Sequence, residues 1–277
     1  MTYKDILSPA IALREDEAAM TAAGEIAAKC GAKAIALMVA VHLGSEYADK
    51  ARPLSDVLGD MAAGSRSHAA ISRQEIVAWL SRRPLDFDVR DLTIENAVDE
   101  DQIVAHARMA DLVVMARGQE HATARRALIA DILFKSGRPL LLVPPRAQER
   151  RWERFVIGWN ASANAVRAIT GVMPLLKRGS LVTIATVDAI PSAAGHGEAP
   201  GCELAAHLAR HGVRAEVRNL DGLGRGAERA LCEEAVATDA DALVIGAYGH
   251  SRAQEFIFGG VTRDLLAAAP VPLLLAH

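Results

Sequence analysis

A chain of 277 residues is long enough for one large core or two of ordinary size. Hydrophobic residues at 51% and charged ones at 23% exclude a disordered chain, and 4% aromatics exclude stacking platforms for single-stranded nucleic acid. Lysine and arginine, 31 against 34 acidic side chains, leave a formal net charge of -3, too balanced a field to recruit nucleic acid or an anionic membrane.

From the N-terminus, no basic segment leads into an apolar core, and no apolar run approaches the ~20 residues of a spanning helix, so a cytoplasmic protein is expected. Ile6 and Leu7 open a short apolar strand before Pro9, and an alanine-rich helix follows over 15–30. Lys29 suits the negative end of its dipole, and Gly31 supplies the left-handed residue that stops it. A buried strand is expected over 35–41, a loop over 44–64, and a helix over 67–82 closed by Pro84. Strict alternation over 87–94 marks a half-exposed strand. Helix 100–110, buried strand 112–115, helix 123–134 and strand 138–143 complete a β-α-β-α-β-α-β-α-β order. Prolines beside a charge run make 144–152 a linker.

The order then restarts. A strand at 155–157 and a turn at 160–162 precede a helix whose inner face is read from Val166, Ile169, Met173 and Leu176, ending at Gly179. Strand 181–187, a glycine-rich loop over 192–201, a helix around Leu204 and Leu208, alternating strand 213–220, helix 227–238 and strand 242–245 follow. A last helix lined by Val261, Leu265 and Ala268 leads to strand 271–276, whose Pro-Leu-Leu-Leu repeats 139–142. Two tandem α/β domains, 1–146 and 152–277, are therefore expected, each an open parallel five-stranded sheet with helices on both faces. Their apolar last strands, 139–143 and 271–276, are expected to pair or face one another as an internal pseudo-dimer. Cys30, Cys202 and Cys232 include no close pair for zinc or redox chemistry, and buried helical thiols are expected.

One stretch carries chemistry. The buried run from Ala242 ends in Gly246, a second glycine follows at 249, and Gly259 and Gly260 open an apolar helix with Val261 and Thr262. Glycines let backbone N–H groups approach phosphate oxygens, and a helix N-terminus adds a favourable field. Arg252 in the intervening polar loop, with His250 and Ser251, is a candidate phosphate contact.

This spacing resembles the universal stress protein family, whose nucleotide-binding members carry Gly-x2-Gly-x9-Gly-(Ser/Thr). Gly246, Gly249 and Gly259 hold the three glycines, while Gly260 stands where the hydroxyl belongs. The resemblance implies a Rossmann-like, adenine nucleotide alpha hydrolase-like fold that binds ATP or another adenine nucleotide, with or without Mg²⁺. It places Asn160 and Ser162 at the family's Asp-x-Ser purine and ribose contact and Val187 at its adenine wall. Asn160 and Ser162 could equally cap the helix that follows. Trp159 and Tyr248 are candidate pocket walls, and plain core is the alternative for them and for Val187.

The first half departs from that pattern. Pro9 falls where the acidic residue would stand, only Gly118 follows the strand at 112–115, and Ala127 and Ile129 lie near the expected helix opening. A degenerate domain without nucleotide is expected there, with His42 a packed histidine. The chain has no Gly-x-Ser-x-Gly, Gly-x4-Gly-Lys-(Ser/Thr), His-Glu-x-x-His or Gly-x-Gly-x-x-Gly at a strand end, so no catalytic or metal-binding residue is assigned. Nucleotide-dependent regulation of a stress response through an unknown protein partner is the leading reading, with homo-oligomers compatible. An interaction scaffold with a vestigial pocket and a weak ATPase are the alternatives.

Overall fold

A computed structural model describes residues 2–41, 65–94, 100–118, 122–145, 150–177, 179–191, 196–247 and 260–277. The chain divides into two compact units, Thr2–Glu149 and Arg150–His277. The first contains β1 (Asp5–Ala10), α1 (Leu13–Cys30), β2 (Lys33–Val41), α2 (Ser65–Leu80), β3 (Phe87–Ile94), α3 (Glu100–Arg108), β4 (Leu112–Ala116), α4 (Ala122–Lys135) and β5 (Leu140–Val143). The second contains β6 (Arg154–Gly158), α5 (Ala163–Val172), β7 (Leu181–Val187), α6 (Cys202–Arg210), β8 (Arg214–Leu220), α7 (Ala227–Ala237), β9 (Ala242–Gly246), α8 (Gly260–Ala268) and β10 (Leu273–Ala276).

Within the first unit the strand order is β3-β2-β1-β4-β5, and within the second β8-β7-β6-β9-β10. The paired strands of each unit run parallel. Parallel strands need crossover helices, and right-handed crossovers fix where those helices lie. Steps from β1 to β2 to β3 run one way along the sheet and put α1 and α2 on one face, where they touch. The return to β4 and the step to β5 reverse direction and put α3 and α4, which also touch, on the other. The order reverses between β1 and β4, and in the second unit between β6 and β9. Crevices outside the carboxyl ends of such strand pairs are where open α/β sheets hold ligands.

Burial follows position in the sheet. Val113, Val114 and Met115 of β4, and Leu243 and Val244 of β9, are wholly buried, as continuous apolar runs in covered strands should be. The alternating runs fall on β3 and β8, each last in its unit's order and partly exposed. Beside β2, Met20, Met38, Ile76, Trp79 and Leu80 form a core cluster under α1 and α2. Glu17 of α1 ties the two helices, accepting from Trp79 Nε1 at 2.9 Å and from Arg83 at 2.8 Å.

The two units repeat the same bonds. Asp111 before β4 accepts the Lys4 and Asp5 N–H groups at 2.6 and 3.1 Å, and Asp241 before β9 accepts those of Glu153 and Arg154 at 2.7 and 2.9 Å. Arg117 N–H donates to Val143 O just past β4, and Ala247 N–H donates to Ala276 O just past β9.

Gly31 closes α1 in the left-handed conformation, φ 64°, with its N–H on Ala27 O. Several local expectations need correction. Helix α5 stops at Val172 rather than near Gly179, because Pro174 lacks the N–H that another turn requires. Its buried face is Ala165, Ala168, Ile169 and Val172, so Val166 points outward, 50% exposed. On α8 the buried face is Thr262 and Leu265 with Ala269 just beyond, while Val261 and Ala268 are exposed. Ala127 and Ile129 lie inside α4, which opens at Ala122. Strands β5 and β10 begin after Pro139 and Pro272, whose carbonyls still accept from Val113 and Leu243. Cys202 is exposed, and Cys30 and Cys232 are half-buried, so the thiols are not core residues. Among the described residues no helix is long and apolar enough to cross a membrane.

Candidate functional site

In the second unit β6 and β9 pair in parallel with Gly158 opposite Ile245, so the turn after β6 and the residues after β9 emerge side by side. The Trp159–Ser162 turn starts α5 there. Asn160, exposed, accepts the Ser162 N–H on Oδ1 at 3.2 Å, and Ser162 Oγ accepts the Ala165 N–H at 3.2 Å. That is an Asx turn leading into an N-cap, the local chemistry by which these two side chains begin a helix.

Gly246 ends β9 directly against that helix start. A Cβ at Gly246 would fall 2.5 Å from the Asn164 carbonyl carbon and closer still to the Ala165 nitrogen, both backbone atoms that cannot swing aside. The first glycine of the spaced set is thus required for the strand end to meet the N-terminus of α5. Asn164, buried, locks the contact: its Nδ2 donates to Ala247 O, and its Oδ1 accepts from Arg167. His277 Nδ1 lies 3.3 Å from both Asn164 Nδ2 and Ala247 O.

The first turns of α5 and α8 carry no acidic residue, so their N-terminal partial positive charges are not cancelled from within. Among the described residues only five non-glycine residues have positive φ, and two of them, Ala161 at 55° and Asp188 at 48°, follow β6 and β7. Such backbone costs about 1–3 kcal/mol each and tends to cluster where ligands are held.

Of the residues expected at the site, Asn160, Ser162 and Gly246 stand together around the start of α5. Val187 is half-buried at the end of β7, whose neighbour in the sheet is β6. Gly260 opens α8, Val261 is exposed and Thr262 is buried on that helix's inner face. Gly249, Arg252 and Gly259 lie outside the described residues, as do His42, Tyr248, His250 and Ser251. Asn164, Arg167 and His277 escaped sequence reasoning. Asn164 reads as an ordinary first-turn residue, and its partner is 83 positions away.

The matching crevice of the first unit is occupied by protein. Asp16, wholly buried, accepts the Ile11 and Ala12 N–H groups at 2.8 and 3.1 Å, bridging the turn from β1 into α1. Arg125 of α4, 5% exposed, donates to Asp16 at 2.6 Å and to Glu15 at 2.8 Å. Burial lowers the affinity of a guanidinium for its proton, but the two carboxylates outweigh it and hold Arg125 above the ordinary arginine value. Its stem crosses the backbone just after β4, since a Cβ at Gly118 would strike Arg125 Cδ and lie 2.8 Å from Nε. Arg125 therefore spans the gap between the two strand ends.

Residues 156–277 match the model of the universal stress protein family. Across nearly the whole chain the fold is similar to a universal stress protein from Archaeoglobus fulgidus DSM 4304, with TM-score 0.67, 14% identity, and coverage of 98% of this chain and 95% of that one. A functionally unknown protein from Pseudomonas aeruginosa PAO1 is similar at TM-score 0.56 and 13% identity, covering 99% and 92%. The cytoplasmic domain of a prokaryotic cation chloride cotransporter is similar at TM-score 0.50 and 11% identity, covering 98% and 94%. Identities this low speak for the fold alone. No curated protein matches the sequence.

Proposed function

We propose that the second unit, whose residues 156–277 match the model of the universal stress protein family, binds an adenine nucleotide in the crevice between the ends of β6 and β9. The observation that carries this reading is the contact at Gly246. It sets the acid-free N-terminus of α5 against the end of the strand that leads into the glycine-spaced loop. Backbone N–H groups along that loop and at the start of α8 would receive the phosphates. Val187 and the Asn160 turn would face the base, and Arg252, placed by sequence in the same loop, would add charge. The first unit takes no nucleotide, since Arg125 and two carboxylates fill the equivalent position. Binding without turnover suits a regulatory role, in which the occupied state changes contact with a protein partner.

Gly260 sets the affinity. A serine or threonine there would give one more hydrogen bond to a charged oxygen, worth ~1.5 to 3 kcal/mol, or about tenfold or more in affinity. Isothermal titration calorimetry of the full chain with ATP, ADP and AMP, with and without Mg²⁺, is expected to show one site per chain. Gly259→Leu should abolish it, and Gly260→Ser should tighten it about tenfold or more. Absence of heat at millimolar nucleotide would overturn the proposal.

A second reading has its own support. Asn160 and Asn164 already spend their side-chain oxygens inside the protein, on Ser162 N–H and Arg167. A crevice whose amides are internally satisfied suits a scaffold with a vestigial pocket. Nucleotide released from freshly purified protein, identified by mass spectrometry, would eliminate that reading.

A further inference from the structure

Helix α6 lies apart from the nucleotide crevice and carries chemistry that the proposed function leaves unused. Leu204 and Leu208 anchor it inward, both buried, which turns His207 and His211 outward, both exposed. The two histidines are four positions apart, the spacing that puts side chains one above the other on a helix face. His211 closes the helix with φ -90° and ψ 8°, and its N–H donates three residues back to Leu208 O at 3.0 Å, a tightened last turn.

The two imidazole rings stand with centroids 4.8 Å apart and planes inclined by 61°. Imidazole nitrogens bind divalent transition metals at roughly 2.0–2.1 Å, which puts each ring centroid about 3.2 Å from a shared ion. For ligand angles of about 90–110°, the two centroids would then be roughly 4.5–5.2 Å apart. The observed spacing falls inside that interval, so the ring centres already stand at a separation that a shared ion allows. An exposed edge-to-face contact between two imidazoles is a weak reason by itself for such a pose.

We propose that His207 and His211 form a chelate site for a divalent transition-metal ion of the imidazole-preferring class, with affinity in the order Cu²⁺ > Ni²⁺ > Zn²⁺ on outer α6. Hard cations such as Mg²⁺ or Ca²⁺ are disfavoured, since they demand oxygen ligands. Glu203 lies one turn earlier on the same stripe. Among the described residues, however, no three His, Cys, Asp or Glu side chains form a group that could hold an ion. The protein supplies two ligands, water fills the remaining positions, and the bound ion staples the last turn of the helix. Binding uses the lone pair of a coordinating nitrogen on each ring.

The test uses the full chain without an affinity tag or nucleotide, titrated with Cu²⁺ and Ni²⁺ chlorides. Calorimetry gives affinity, and paramagnetic broadening of amide resonances by Cu²⁺ gives location. Broadening centred on 202–212 is expected, and His207→Gln or His211→Gln should each weaken binding about tenfold or more, because the second ring binds as an intramolecular ligand. Both positions are exposed, so the variants should melt with the parent. Unchanged affinity in the double variant, broadening centred elsewhere, or no binding to the parent chain would each overturn the proposal.

Discussion

The two units share strand order and matched hydrogen bonds, yet their crevices are built from opposite chemistry. In the first, α1 carries Glu15 and Asp16 in its first turn, and Arg125 reaches from α4 to neutralise them. In the second, α5 begins with Ser162, Ala163 and Asn164, a neutral cap beside a neutral amide, and Gly246 supplies the close approach. One crevice has charge of both signs sealed within it, and the other has an unopposed helix N-terminus. On the proposed function, a handful of residues at the strand ends, on one common frame, decides whether an anion is admitted.

The contrast is broken most directly at Arg125. Arg125→Met would leave Asp16 wholly buried with a second carboxylate beside it and only two backbone N–H donors. Removing one partner of a buried pair costs about 3–5 kcal/mol, to be read as a lower urea midpoint for the full chain. Adding Asp16→Asn to Arg125→Met should recover part of the loss, because the uncompensated charge is then gone. Nucleotide binding in the second unit should be untouched. A parent-like urea midpoint for Arg125→Met would show that the triad does not seal the first crevice.

Gly246→Ala acts on the other side of the comparison. Its methyl would meet backbone atoms of Asn164 and Ala165, so the strand end or the helix start must shift. Overpacking of this kind costs about 1–3 kcal/mol, and the displaced α5 N-terminus should weaken nucleotide binding as well. Gly158→Ala is the control. Its methyl would meet side-chain rather than backbone atoms, Ile245 Cγ2 at 3.0 Å and Leu231 Cδ1 at 3.1 Å, which need give by only a few tenths of an ångström. If both variants behave alike, the close approach at Gly246 is not what shapes the site.

The architecture was legible because it rests on periodicity. Continuous apolar runs became the covered strands β4 and β9, alternating runs became β3 and β8, and Gly31 stopped α1 through a backbone conformation open to few other residues. The crevices were legible only where glycine spacing announced them. Arg125 meets Asp16 across 109 positions and Asn164 meets Ala247 across 83, and nothing local in either stretch signals the partner. Helix phase also misled. Pro174 ends α5 about two turns early, and the buried face passes through Ala165 and Ala168, so a stripe chosen for its larger side chains was offset by one position at Val166. His207 and His211 show the reverse case. Their spacing is visible in the sequence, but its chemical meaning came from the ring separation.

The smallest effect separates two roles for the turn after β6. Ser162 caps α5 through the Ala165 N–H, and Asn160 orders the turn through the Ser162 N–H, so each has a structural duty independent of any ligand. Loss of an N-cap costs about 1 kcal/mol, so Ser162→Ala should lower the urea midpoint modestly. Asn160→Ala, at an exposed position, should cost no more than about 0.5 kcal/mol. If Asn160 also contacts the purine, Asn160→Ala will weaken AMP and ATP alike while leaving stability nearly intact, since the base is common to both. If it only orders the turn, any change in affinity will follow the change in stability across both variants. A loss of binding confined to ATP would place the residue near the phosphates and refute its assignment to the base.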